Sequence, residues 1–362
     1  MQALFVKTNT FVLKFVHNRS KMVLTKGDEM MKVLVYGSGV IGSYLAHVLC
    51  KGGNDVTVLA RGAWRAQLEE HGLRIRHHLQ RRETLDHPRI IGDVSESNAY
   101  DEVFAVMPYN KIGAILEPLA QVRAPLVVLV GNNMSPAAME RAILERTVCE
   151  KQVLFGFQVT AGKRDVENGL LICERLGAGN MDIGGLHRLP DAATQAKLNG
   201  AFAGTGYRLN WQVDMEAYLI CHLAAILPIG YIAYACDGDM RASTGAQRRL
   251  MRLASREAYA MLKAQGIPIL PAGDERYYAP GPRGALMQFL YFVMAKNRTI
   301  GDLVACEHCR NAWAEMELLD QAFMEVAARS PEVPMPHWHE LRGQMPGWEE
   351  IRRRYGRVTS SR

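Results

Sequence analysis

A short apolar run, Lys32–Tyr36 (KVLVY), leads directly into Gly37-Ser38-Gly39-Val40-Ile41-Gly42, and no other stretch limits the fold as tightly. The run has the length and β-branched content of a buried strand. Val40–Lys51 then carries Ile41, Leu45 and Val48/Leu49 at helical spacing. Gly52 and Gly53 stop that helix, and residues 55–60 (DVTVLA) read as a second strand. A G-x-G-x-x-G turn between strand and helix is the hinge of a βαβ unit. Gly37 permits the tight turn, Gly39 lets a diphosphate approach the backbone, and Gly42 lets the helix pack on the strand. The first helical turn, through Ser38, Val40 and Ile41, offers unpaired N–H groups and a partial positive charge to an anion. The ligand such a turn takes is a dinucleotide.

The end of the second strand selects between dinucleotides. A free ribose 2′-hydroxyl favours Asp or Glu there, whereas this chain has Leu59-Ala60-Arg61-Gly62, with Arg65 one turn on. A guanidinium binds a 2′-phosphate bidentately and a carboxylate repels it, so the expected cofactor is NADP(H).

Further apolar runs at 103–107 and 126–130 end at Pro108 and Gly131, and alternation of strand and helix implies a parallel sheet covered on both faces. Residues 73–91 read as short strands and turns inserted into that plan. More strands follow at 152–160, 169–174, 181–184 and 207–211, with a helix at 191–203. Beyond residue 213 the strand signals stop. The stretches 215–234, 244–265, 282–297 and 310–329 are helical in period; Trp313, Met316, Leu319, Phe323 and Val326 form one packing stripe. The expected fold class is α/β: an N-terminal Rossmann-like doubly wound sheet followed by an all-α C-terminal domain. The expected divisions are an extension at 1–30, a dinucleotide-binding domain at 31–207, a helical substrate or dimerisation domain at 208–345, and a basic tail at 346–362. The extension is read as dispensable, with an upstream start codon as one origin. Its five bases and short apolar runs also suit a segment that touches a membrane or a partner.

With 48% hydrophobic and 22% charged residues, the chain is too apolar to remain unfolded by self-solvation. Seven cysteines, an odd number thinly spread, do not make a disulfide scaffold. No uninterrupted apolar stretch was expected to reach the ~18 residues of a spanning helix, which makes a cytoplasmic location the expectation. The net charge of +6 sits mostly at the two ends, and no basic stripe interleaved with aromatics runs along the body. Nucleic acid and membrane are therefore not expected partners of the body. Cys306-Glu307-His308-Cys309 and His337-Trp338-His339 have the residue types of a zinc site. The first motif opens a periodic helix, so its thiols share a face through spacing alone, and no metal is expected. Neither a nucleophile elbow nor a Walker-type loop is present.

The segment KVLVYGSGVIGSYLAHVLCKGGNDVTVLARG resembles the opening of the ketopantoate reductase (2-dehydropantoate 2-reductase) family, which reduces a 2-keto acid with NADPH. The likeness continues through Val128-Leu129-Val130-Gly131-Asn132-Asn133-Met134, Leu154-Phe155-Gly156 and the helices at 214–239 and 307–323. It spans residues 31–340 in outline. The resemblance implies that Asn132 lies near the nicotinamide ribose and the substrate, where an amide both donates and accepts. It implies that Glu315 corresponds to a glutamate linked to the cofactor ribose and domain closure.

The chain departs from the family where catalysis is concerned. A lysine expected early in the first helix of the second domain is missing from Tyr218-Leu219-Ile220-Cys221-His222-Leu223, and Leu223 and Leu227 replace asparagines further on. A basic residue expected after the third Rossmann strand is replaced by Met107-Pro108. Reduction still needs a proton source, for which His222 is the candidate, with Tyr218 as a weaker donor. Arg241, Arg283 and Arg298 are candidates for binding a substrate carboxylate. The resulting expectation is an NADP-dependent oxidoreductase acting on a CH–OH/C=O pair or a related imine, with a small carboxylate-bearing substrate seated between the domains. A homodimer is compatible with it. The alternative is a redox-inactive NADP(H)-binding sensor or sequestering protein.

Overall fold

The computed structural model describes residues 30–96, 99–175 and 177–359, so the expectations about residues 1–29 lie outside the described residues. The strands are β1 (Lys32–Tyr36), β2 (Asp55–Leu59), β3 (Leu73–His77), β4 (Arg82–Asp86), β5 (Arg89–Ile91) and β6 (Glu102–Val106). They continue as β7 (Leu126–Val130), β8 (Gln152–Phe157), β9 (Ala161–Asp165), β10 (Leu170–Glu174), β11 (Asn180–Gly184) and β12 (Arg208–Trp211). The helices are α1 (Val40–Lys51), α2 (Gly62–His71), α3 (Tyr109–Ile112), α4 (Leu116–Gln121), α5 (Pro136–Leu144), α6 (Ala192–Ala201) and α7 (Met215–Ala235). They continue as α8 (Gly245–Ala264), α9 (Pro282–Lys296), α10 (Arg298–Gly301), α11 (Glu307–Asn311), α12 (Trp313–Ala327), α13 (Pro336–Gly343) and α14 (Trp348–Thr359).

The residues form two compact units. Among the described residues, one comprises 30–107, Ala114–Gly131 and Ala138–Val213; the other comprises Pro108–Gly113, Asn132–Ala137 and 214–359. The first unit holds an eight-stranded sheet in the order β12-β11-β8-β7-β6-β1-β2-β5. The pairs from β5 through β8 are parallel and β11 runs antiparallel to β8, so the six parallel strands form the doubly wound arrangement expected. β6 and β7 are buried at every position, which is why EVFAV and LVVLV read as continuous apolar runs.

A second sheet, β4-β3-β10-β9, packs on α1. Covered on both sides, α1 is buried from Gly42 to Leu49 and carries apolar residues well beyond one stripe. Polar groups facing this sheet are paired. The His47 Nδ1 lies 2.6 Å from an Asp86 oxygen, and the Arg175 guanidinium stacks 4.2 Å over the Tyr44 ring.

The second unit is all helical. Its centre is α7, long and apolar enough by mean hydropathy to cross a membrane, although Glu216 and His222 interrupt its apolar run. Here 94% of its apolar window is buried inside the unit, as in the core helix of a globular domain. The strand β12 pairs with β11, and the first unit runs to Val213. One expectation about the helices is corrected. The stretch 310–329 is broken at Ala312, which joins α11 to α12. Within the basic tail, α14 packs on the unit: it buries Ile351 completely, and the Trp348 indole N–H donates to Asp320 at 2.8 Å. Asp320, itself fully buried, also accepts from the Tyr231 hydroxyl at 2.6 Å and from Arg342.

Candidate active site

In the first unit the glycine turn has the geometry that its spacing requires. Gly37 has φ of +113°, and a Cβ there would collide with the Val106 carbonyl oxygen. A Cβ on Gly42 would collide with the carbonyl oxygen of Gly37. Gly39 begins α1 in extended conformation, no side chain caps its helix, and a Cβ on it would meet nothing within 4 Å. The first-turn N–H groups therefore have no side-chain acceptor, and the space over Gly39 is open, which fits a diphosphate. Ser38 and Ser43 brace the turn, with Ser43 Oγ donating to the Ser38 carbonyl at 3.1 Å. Arg61 follows β2 and is exposed, its guanidinium 3.4 Å from the Tyr36 hydroxyl.

In the second unit a buried carboxylate organises a separate cluster. Glu315 lies in the first turn of α12 and is 5% exposed. Its Oε1 accepts the Tyr109 backbone N–H at 3.0 Å and the Asn132 side-chain amide at 3.4 Å. A carboxylate only accepts, so the Asn132 nitrogen must face it. The Asn132 Oδ1 is left buried with no donor among the described residues. Beside this pair, the Tyr109 hydroxyl lies 2.9 Å from Ser135 Oγ, and the Ser135 N–H donates to Asn133 Oδ1 at 2.8 Å.

The structure brings Asn132 and Glu315 together in one cluster, and adds Tyr109 and Ser135, which the sequence reading missed. A signal for Tyr109 existed: it follows β6, at the point where strand order reverses beside β1, and loops there carry ligand contacts in open α/β sheets.

His222 and Tyr218 are placed differently from the expectation. Both lie in the packed interior of α7, 4% and 0% exposed. Burial pushes the His222 imidazole down to about 3 from its ordinary 6.5, so it is neutral at pH 7 and holds no cationic proton to donate. Between pH 6.5 and 3 the unfolded chain binds a proton that the folded one refuses, and stability must fall as pH falls. Urea melts are expected to show about 2 kcal/mol or more lost between pH 7 and pH 4, with a shallower pH slope in His222→Gln. An unchanged slope would contradict this assignment.

The lysine position is apolar, with Leu219 and Ile220 both buried. Of the candidate carboxylate binders, Arg241 is held by Asp239 at 2.6 Å and Arg298 stands 3.5 Å from Asp302. Arg283 lies over the Tyr277 ring. Cys306 and Cys309 are buried helix-packing residues, and no group of metal ligands occurs among the described residues.

A doubly wound sheet with an open glycine turn, joined in one chain to a helical unit, defines a Rossmann-type NAD(P)-dependent oxidoreductase. Residues 33–185 match the family described as Ketopantoate reductase PanE/ApbA. Solved structures share the fold at low identity. A PanE/ApbA family ketopantoate reductase from Ralstonia eutropha JMP134 is 17% identical with a TM-score of 0.67, covering 90% of this chain and 100% of that one. A D-mandelate dehydrogenase solved with NADH and anilino(oxo)acetate is 15% identical with a TM-score of 0.66, covering 90% and 100%. The 2-dehydropantoate 2-reductase from Methylococcus capsulatus is 17% identical with a TM-score of 0.61, covering 86% and 94%. Among curated proteins nothing matches the sequence.

Proposed function

We propose that this chain is an NADPH-dependent reductase of a small oxo or imino compound bearing a carboxylate. The observation that carries the reading is the orphaned Asn132 Oδ1. A buried acceptor without a donor costs about 1–3 kcal/mol, and a ligand hydroxyl or amide would relieve it. Gly37 to Gly42 would hold the diphosphate and Arg61 the 2′-phosphate. When bound, NADPH supplies the hydride for the reduction. Glu315 holds the Asn132 amide and the Tyr109 backbone in place. Tyr109, its hydroxyl oriented by Ser135, is a better placed proton holder than the buried His222. That a protein of similar fold was solved with anilino(oxo)acetate supports a 2-oxo acid as the substrate class.

The second reading, an NADP(H)-sequestering protein, is favoured by one observation: α7 has no lysine. NADPH depletion against keto acids (2-dehydropantoate included), imines and enones separates the two. The reductase consumes NADPH with at least one member, whereas the sequestering protein binds it tightly and consumes none. Arg61→Ala is expected to weaken NADPH binding about 10- to 100-fold, the worth of a charge-assisted phosphate contact, and to leave NADH within about threefold. Equal losses for both in a fluorescence titration would remove Arg61 from the site.

A further inference from the structure

The helical unit contains a groove that the coenzyme reading does not use and on which the following does not rest. It has a volume of about 570 Å³ and lies between α8 and α9. One wall is the face of α8 bearing Arg248, Arg249 and Arg252; the other is the start of α9, with Gly281, Gly284 and, further along, Phe292. No Asp or Glu lines it, and none of the three guanidiniums has a carboxylate partner among the described residues. Several other arginines of this unit are neutralised: Arg241 by Asp239, Arg342 by Asp320, Arg352 by Glu317.

Solvated surface arginines need no explanation, but Arg248 is 8% exposed. Its guanidinium is held by the Ser243 carbonyl and, at 3.0 Å, the Ser243 hydroxyl, and it lies 5.7 Å from the Phe292 ring. The Arg252 guanidinium is anchored on the Tyr278 carbonyl. Burial and then the charges of Arg249 and Arg256 hold it below its ordinary value, which reflects positive charge crowded without an internal counterion. Two of the three donors are therefore oriented in advance, and cations held part-buried without a carboxylate favour an anion beside them. The start of α9 adds to the same sign of field: Gly281 has no side-chain cap, and a Cβ there would meet nothing within 4 Å.

We infer that this groove binds a small phosphate-bearing anion carrying at least two negative charges. Several guanidiniums on one wall and backbone N–H groups on the other can meet tetrahedral phosphate oxygens from two sides, whereas a planar carboxylate offers them a single edge. The volume suits a small metabolite, with the Phe292 ring available to its apolar part.

The test is calorimetric titration of the full-length protein with sodium pyrophosphate, at an ionic strength held constant with sodium chloride. With the coenzyme turn blocked by Gly39→Ala, the protein is expected to bind, the added change Arg249→Ala to weaken binding about tenfold, and Arg249→Glu to abolish it. Arg249 is exposed and makes no anchoring bond, so the double variants should melt within a few degrees of Gly39→Ala alone. No binding by the wild type, or undiminished binding after Arg249→Glu in the Gly39→Ala protein, would overturn the inference; so would loss of all pyrophosphate binding in Gly39→Ala, which would place the anion at the glycine turn. Failure of the coenzyme reading would leave the Arg249 result unchanged.

Discussion

Replacing Gly42 with alanine is expected to abolish NADPH binding and to lower the unfolding free energy by about 3 kcal/mol, the upper range for an overpacked core site. The added Cβ meets the carbonyl oxygen of Gly37, a backbone atom that cannot rotate away as a side chain would. Relief requires α1 to lift from β1, and α1 is buried against both sheets of its unit. Gly39→Ala is the matched control. Its Cβ meets nothing within 4 Å and its φ of −68° suits any residue, so stability should fall by only about 1 kcal/mol, the cost of alanine at an N-cap. Coenzyme binding should nevertheless weaken at least tenfold, because the methyl group enters the space assigned to the diphosphate. Urea melts and fluorescence titration of the two variants separate helix packing from ligand seating. Undiminished NADPH affinity in Gly39→Ala would mean that the turn holds no diphosphate.

The second large effect is expected at Glu315. Glu315→Ala leaves the Tyr109 N–H and the Asn132 amide without their acceptor inside a buried cluster and frees the Asn132 side chain to rotate. Turnover should fall about 100-fold, the scale on which misplaced positioning groups act, with a smaller rise in KM. Glu315→Gln retains an accepting oxygen and should recover much of the loss. The split between kcat and KM, together with this rescue, identifies a positioning residue. If Glu315→Ala turns over as the wild type does on a substrate found in the NADPH panel, the cluster has no part in the reaction.

The βαβ opening was legible because everything that specifies it is local. Strand, turn, helix and second strand occupy fewer than thirty consecutive residues, and Gly37 and Gly42 answer clashes with the neighbouring strand β6 and within that segment. Fully buried strands such as LVVLV also announced themselves through composition. Asn132 and Glu315 were visible through resemblance, but their pairing bridges 183 positions and no spacing rule reaches that far.

Other features depended wholly on contacts distant in sequence. Strand β3 finds β10 almost a hundred residues away, and that second sheet is what buries the far side of α1. The apolar helix α7 has the length and composition of a membrane span, and only the helices packed around it make it a core. His222 looked like a proton donor because imidazole titrates near neutrality in water; enclosure removes that property, and enclosure is a tertiary quantity. The basic C-terminal segment is tied to Asp320 through the Trp348 indole, which no local pattern connects to it. Sequence alone determined the coenzyme turn, because its constraints are steric and short in range. Tertiary structure decided which side chains keep their solution chemistry, because burial and hydrogen bonding depend on segments that meet only in the folded chain.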